Sequence, residues 1–196
     1  MFLRNRPVGR SLSALFGLAM LAGSVTVRHA VGVLVCRPNP APVHVTVHAT
    51  VPPGVVAASR FISSRYRVPS ALARQIATVA FRVSREHRLN PYLVLAVIAV
   101  ESSFRAHVVN PYGGAYGLMQ IAVRVHERRV AAVGGRRRLF LIAPNIRIGV
   151  ALLAQYGAQV RSQVRHALWR YSGGEYGYAR KVLRLREALQ RQAERL

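Results

Sequence analysis

The chain carries six glutamates and no aspartate, so Glu86, Glu101, Glu127, Glu175, Glu187 and Glu194 are every side-chain carboxylate it has. Chemistry that needs a carboxyl group, such as proton donation to a glycosidic oxygen, must draw on one of these. Glu101 stands apart in its setting. It ends the run "NPYLVLAVIAVE", which is apolar on every side ahead of it. A carboxylate beside a wall of Val, Ile and Leu, at the negative end of a helix, has its charged form disfavoured by desolvation and by the helix dipole. Both effects raise its pKa toward the working range of a general acid. The rival reading is that the helix simply reaches solvent at this point, and the pattern alone leaves both open.

The other five carboxylates are placed less suggestively. Glu86 closes a helix beside Arg85 and Arg88, and Glu187 and Glu194 lie on an arginine-rich terminal helix, where surface pairing is the plain reading. Glu127 follows Gln120 by about two helical turns, roughly 10 Å if one helix runs through both, and should point away from a cleft built around Gln120. Glu175, in "SGGEYG" next to Tyr171, is the one candidate for a second catalytic carboxylate. His44 and His48 have the spacing of helical metal ligands, but the Val/Thr alternation and prolines around them disfavour a helix and no acid is nearby. No metal or organic cofactor is expected. Cys36 is the only cysteine, so no intrachain disulfide can form and the fold must rest on packing.

The elements that would position Glu101 can be read from periodicity. In "ALARQIATVAFRVSREHRL", with Ser70 as its cap, Leu72, Ile76, Val79, Ala80 and Val83 form one apolar stripe. Asn90 caps the next helix and Pro91 takes its first position, where a missing N–H costs nothing. Being apolar all round, that second helix belongs at the centre of the fold. The glycines at 113, 114 and 117 mark a tight turn ahead of a short amphipathic segment. Trp169, the single tryptophan, is expected in the core.

Three regions follow. Residues 1–36 have arginines at 4, 6 and 10 before an apolar stretch and read as a signal peptide, with an uncleaved membrane anchor as the rival. Lipid attachment at Cys36 is disfavoured by the bulky Val35 before it. Residues 37–69 are rich in proline and read as an extended tether, and residues 70–196 as an all-α catalytic domain. The formal net charge of +23 predicts attraction to polyanions without naming one. A basic module that only binds is therefore a competing class, with "GGRRRLF" and the terminal helix as its surface. Export and the lack of spaced aromatic platforms argue against a nucleic-acid partner.

Four motifs in order sharpen the picture: "ESSF" at 101, "NPYGGAYGLMQ" at 110, "NIRIG" at 145 and "ALWRYSGG" ending at 174. Together they resemble the catalytic domain of soluble-type lytic transglycosylases, a lysozyme-like fold, over roughly Pro69 to Leu185. The resemblance implies cleavage of peptidoglycan strands between N-acetylmuramic acid and N-acetylglucosamine, with a 1,6-anhydro product and Glu101 as sole catalytic carboxylate. It also implies substrate-side roles for Ser102, Gln120 and Tyr171, whose hydroxyl would lie close to the acid. Asn145 would open a helix supporting the site, and Asn110, in a loop one residue longer, would sit near the substrate's acetamido group. There are departures. Ala122 and Val123 replace the usual Met-Pro continuation, Ser172 replaces an asparagine, and the loop before Tyr178 and Val182 is short. These resemble the compact members that accompany secretion and conjugation systems, and the amino-terminal export signal predicts a place in the periplasm or cell envelope. A hydrolytic muramidase using Glu175 or a positioned water is the nearest rival among enzymes.

Overall fold

The computed structural model describes residues 51–195. The expected export segment, Cys36, the His44 and His48 pair and the expected tether before residue 51 lie outside the described residues.

The all-α expectation holds. Among the described residues seven helices run α1 Pro53–Tyr66, α2 Ser70–Glu86, α3 Pro91–Ser102, α4 Glu127–Ala132, α5 Ile142–Gln155, α6 Val164–Tyr171 and α7 Tyr178–Ala193. Short 3-10 turns at Arg136–Phe140 and Arg161–Gln163 precede α5 and α6. No helix among the described residues is long and apolar enough to cross a membrane.

Helix α3 is the axis. Asn90 Oδ1 accepts from the backbone N–H of Tyr92 at 2.9 Å and of Leu93 at 3.3 Å, the cap its sequence called for. Leu93 through Ala99 are all buried, as a helix apolar on every side requires. Helices α2 and α7 pack on it, and α5 packs on α2. Packing therefore holds Glu101, in the last turn of α3, by the most buried element of the fold.

Helix α1 corrects the reading of residues 53–66 as part of an extended tether. The prolines count against a helix only in its interior; Pro52 is the N-cap and Pro53 the first helical residue, where proline is favoured. Behind them Val55, Ala58, Ser59 and Ile62 repeat at helical spacing and are buried, and α1 packs against α2 and α7. The cap of α2 is also corrected. Its N-cap is Pro69, and Ser70 makes no capping hydrogen bond. The buried stripe of α2 runs through Ala73, Ile76, Ala77, Ala80 and Val83, rotated so that Leu72 and Val79 are only partly covered.

Beyond α3 the chain builds a small antiparallel sheet rather than a helix. β1 Val109–Asn110, β2 Ala115–Tyr116 and β3 Ile121–Ala122 pair in that order, with Val109 opposite Tyr116 and Ala115 opposite Ala122. No helix runs from Gln120 to Glu127. Trp169 is corrected as well: it is 52% exposed on α6, stacked on His166, rather than in the core.

Candidate active site

Glu101 lines a polar cleft of about 410 Å³ together with Asn110, Gln120, Tyr171, Ser172, Glu175, Tyr178 and Lys181. A larger concavity of about 990 Å³ lies between α2, the segment after α3 and the start of α5, walled by Tyr66, Leu72, Val79, Phe104, Phe140 and Pro144. It is mainly apolar and contains none of these titratable groups, so carboxyl chemistry belongs to the smaller cleft.

The Glu101 carboxyl is partly covered, and burial raises its pKa from 4.5 to about 7. A hydrogen bond from Tyr178 opposes that rise and the charge of Glu175 adds to it. Tyr178 Oη donates to Glu101 Oε1 at 2.6 Å, joining the first residue of α7 to the end of α3. The Tyr178 phenol is itself buried and held far above its ordinary pKa, chiefly by desolvation and by the neighbouring Glu101, so it stays a donor. With Oε1 accepting, Oε2 is the oxygen free to carry a proton toward the cleft.

The backbone leaves α3 sharply. Ser103 and Phe104 follow with φ of 50° and 63°, two successive left-handed residues without glycine, at a cost of about 1 kcal/mol or more each. Phe104 is buried edge-on against Tyr66 at 4.8 Å, and that packing holds the turn.

The "GLMQ" turn is fastened from three sides. Asn145, fully buried in the first turn of α5, accepts from the Met119 N–H and donates to the carbonyls of Tyr116 and Leu139, each at 2.8 Å. Tyr171 Oη donates to the Met119 carbonyl at 2.8 Å. Gly117, at φ 79°, has no room for a side chain, since a Cβ there would overlap the Leu139 carbonyl and the Asn145 amide. Gln120 ends the turn at φ 45°, and its Nε2 donates to the carbonyls of Val108 and Gly117 at 3.1 and 2.8 Å. At the cleft edge Asn110 Oδ1 accepts from the N–H groups of Tyr112 and Gly113, closing an exposed turn.

Glu175 sits on the other rim. Ser172 Oγ donates to the Trp169 carbonyl and accepts from the Glu175 N–H at 3.0 Å, which shapes the loop, and Lys181 Nζ lies 3.0 Å from Glu175 Oε1. The only lysine of the chain is thus paired to the only other carboxylate in the cleft.

Of the residues singled out in the sequence, Glu101, Gln120, Tyr171, Asn110 and Glu175 come together in the cleft. Two do not face it. Ser102 is buried, and its hydroxyl donates back to the Ile98 carbonyl at 3.1 Å, so it closes α3 instead of meeting a substrate. Asn145 is wholly enclosed and acts on the turn, not on a ligand. The hydroxyl bonded to Glu101 is that of Tyr178, with Tyr171 directed to Met119 instead. Sequence reasoning missed Tyr178 and Lys181 as site residues. The one hint was their place three residues apart at the start of α7, after a glycine-rich loop ending in the left-handed Gly177.

A search of curated proteins and of solved structures gives no match to this chain. A family model described as the transglycosylase SLT domain matches residues 78–193. The matched span exceeds half the chain and contains the cleft from Glu101 to Lys181, and so the protein belongs to the transglycosylase SLT domain family.

Proposed function

We propose that this protein is an exported lytic transglycosylase, cleaving the β-1,4 bond between N-acetylmuramic acid and N-acetylglucosamine of peptidoglycan to leave a 1,6-anhydro end. The observation that carries the reading is Glu101: a carboxyl raised to about 7, with one oxygen held by Tyr178, in a polar cleft. At neutral pH a large share of such a group is protonated, as proton donation requires.

In the proposed reaction Glu101 gives its proton to the glycosidic oxygen as the bond to the muramic anomeric carbon breaks. The substrate's acetamido oxygen stabilises the sugar cation in place of a second carboxylate. Glu101, now ionised, takes the proton of the muramic 6-hydroxyl while that oxygen bonds to the anomeric carbon. The acid is regenerated and no water is consumed. Tyr178 keeps its hydrogen bond in both states, which favours the ionised carboxylate between the two transfers. With its Nε2 engaged by backbone carbonyls, Gln120 has its amide oxygen to offer to a sugar N–H or hydroxyl.

A peptidoglycan substrate supports a place in the cell envelope, in accord with the apolar stretch behind the arginines of residues 1–36. The compact cleft loop and the "QIAV" departure accord with service to a secretion or conjugation apparatus.

One observation favours a second reading. Glu175 lines the same cleft and could act as the base of a water-consuming muramidase. Mass analysis of fragments released from purified peptidoglycan separates the two. Anhydro ends support the transglycosylase; products heavier by one water mean hydrolysis; an intact sacculus at every pH tested removes the enzyme reading.

A further inference from the structure

At the opposite end of α3 from Glu101 lies a second polar concavity, of about 470 Å³. Arg88, Arg161 and Arg186 line it, with Asn90, Gln159 and Gln190 between them. The three guanidinium groups come from three separate parts of the chain: the turn after α2, the 3-10 turn before α6, and α7. No carboxylate lines the cavity. Glu187 approaches Arg186 only loosely, at 3.8 Å, and is more than half exposed. Three like charges drawn together, with only this loose and exposed carboxylate beside one of them, repel one another, and a fold keeps such an arrangement at lower cost when an anion joins them.

Two further observations point the same way. Arg186 Nε is buried and has no hydrogen-bond partner among the described residues, an arrangement a fold ordinarily avoids. Asn90, the cap of α3, is part of the lining, so the positive end of the buried central helix also faces the cavity.

We propose that this cavity binds a phosphate group. Guanidinium forks match the oxygens of phosphate in paired hydrogen bonds, and a doubly charged monoester answers three arginines better than a single carboxylate does. The amides of Gln159 and Gln190 supply additional donors at the rim. Helix α3 separates this site from the cleft by about 16 Å, so phosphate here does not compete with a glycan at Glu101. The source is either free or polymer-borne phosphate, or the headgroup of an anionic lipid. The proposal is independent of what Glu101 catalyses.

The test uses the full chain and inorganic phosphate as the probe, with chloride at matched ionic strength as reference. Thermal unfolding should shift upward with phosphate and saturate, and calorimetric titration should give a Kd. Arg88 and Arg161 are exposed, so R88Q/R161Q should fold normally and bind phosphate about tenfold more weakly. Removing three exposed arginines elsewhere, as R82Q/R128Q/R137Q, should leave the Kd within about twofold. Flotation with phosphatidylcholine vesicles, with and without phosphatidic acid, identifies the source. Capture that R88Q/R161Q abolishes assigns a lipid headgroup, and saturable phosphate binding without capture assigns a soluble or polymer phosphate. Equal stabilisation by chloride, or equal weakening by both sets of substitutions, would overturn the proposal in favour of unspecific charge.

Discussion

Replacing Glu101 by glutamine should make the protein more stable at alkaline pH while removing its activity. Holding the carboxyl at about 7 in the folded state, against 4.5 for a freely solvated glutamate, costs the ionised native protein about 3 kcal/mol. The sign follows from proton counting. Below about pH 4.5 the group is neutral in both states and imposes nothing. Between there and about pH 7 the unfolded chain has released the proton and the native protein retains it, so native stability falls as pH rises. Above about pH 7 the whole penalty applies. Glutamine keeps the shape, still accepts from Tyr178 and never ionises. Scanning calorimetry of both proteins should therefore give nearly equal Tm at about pH 4 and a Tm higher for Glu101→Gln by roughly 6–12 °C at about pH 8.5. Muropeptide release by the variant should fall by about 10² to 10⁴, the usual contribution of a general acid. A Tm difference that does not change with pH would show that Glu101 is not held neutral by its surroundings, and the reasoning would fail at its first step.

The two neighbours of Glu101 should move its titration in opposite directions. Tyr178→Phe removes the bond that opposes the raised pKa, so the alkaline limb of the rate profile should shift upward while kcat falls about 10- to 100-fold; an unmoved limb contradicts the assignment. Glu175→Gln removes a charge that favours the neutral acid, so the limb should shift to lower pH, with product masses unchanged if Glu175 is not the base. Asn145→Ala leaves the Met119 N–H and the carbonyls of Tyr116 and Leu139 unpaired inside the fold, and denaturant unfolding should register a loss of about 3 kcal/mol. A loss below about 1 kcal/mol would mean that the "GLMQ" turn is held otherwise.

What could be read from residues alone were features with local causes. The cap and proline at the start of α3 act within one turn, and an apolar run with no polar face has only the centre of the molecule to occupy. The carboxylate inventory singled out Glu101 as the candidate acid and left Glu175 as the candidate second carboxylate, because a chain with six glutamates has few ways to build a cleft acid. Where local rules misled, a neighbour in space decided. The prolines of residues 52 and 53 start α1, and they are worth starting from because α2 and α7 cover its apolar face. Ser102 follows the acid in sequence, yet the helix turns its hydroxyl inward to Ile98.

The partner of the acid was beyond any local rule. Tyr178 meets Glu101 across 77 residues because α7 packs along α3, and the same packing brings Arg186 to the far end of the central helix. Sequence determined which groups were available for proton transfer and which helix would be buried. Only the tertiary structure decided which hydroxyl reaches the carboxyl and how dry that carboxyl becomes, since desolvation is a property of everything packed around a group and not of its place in the chain.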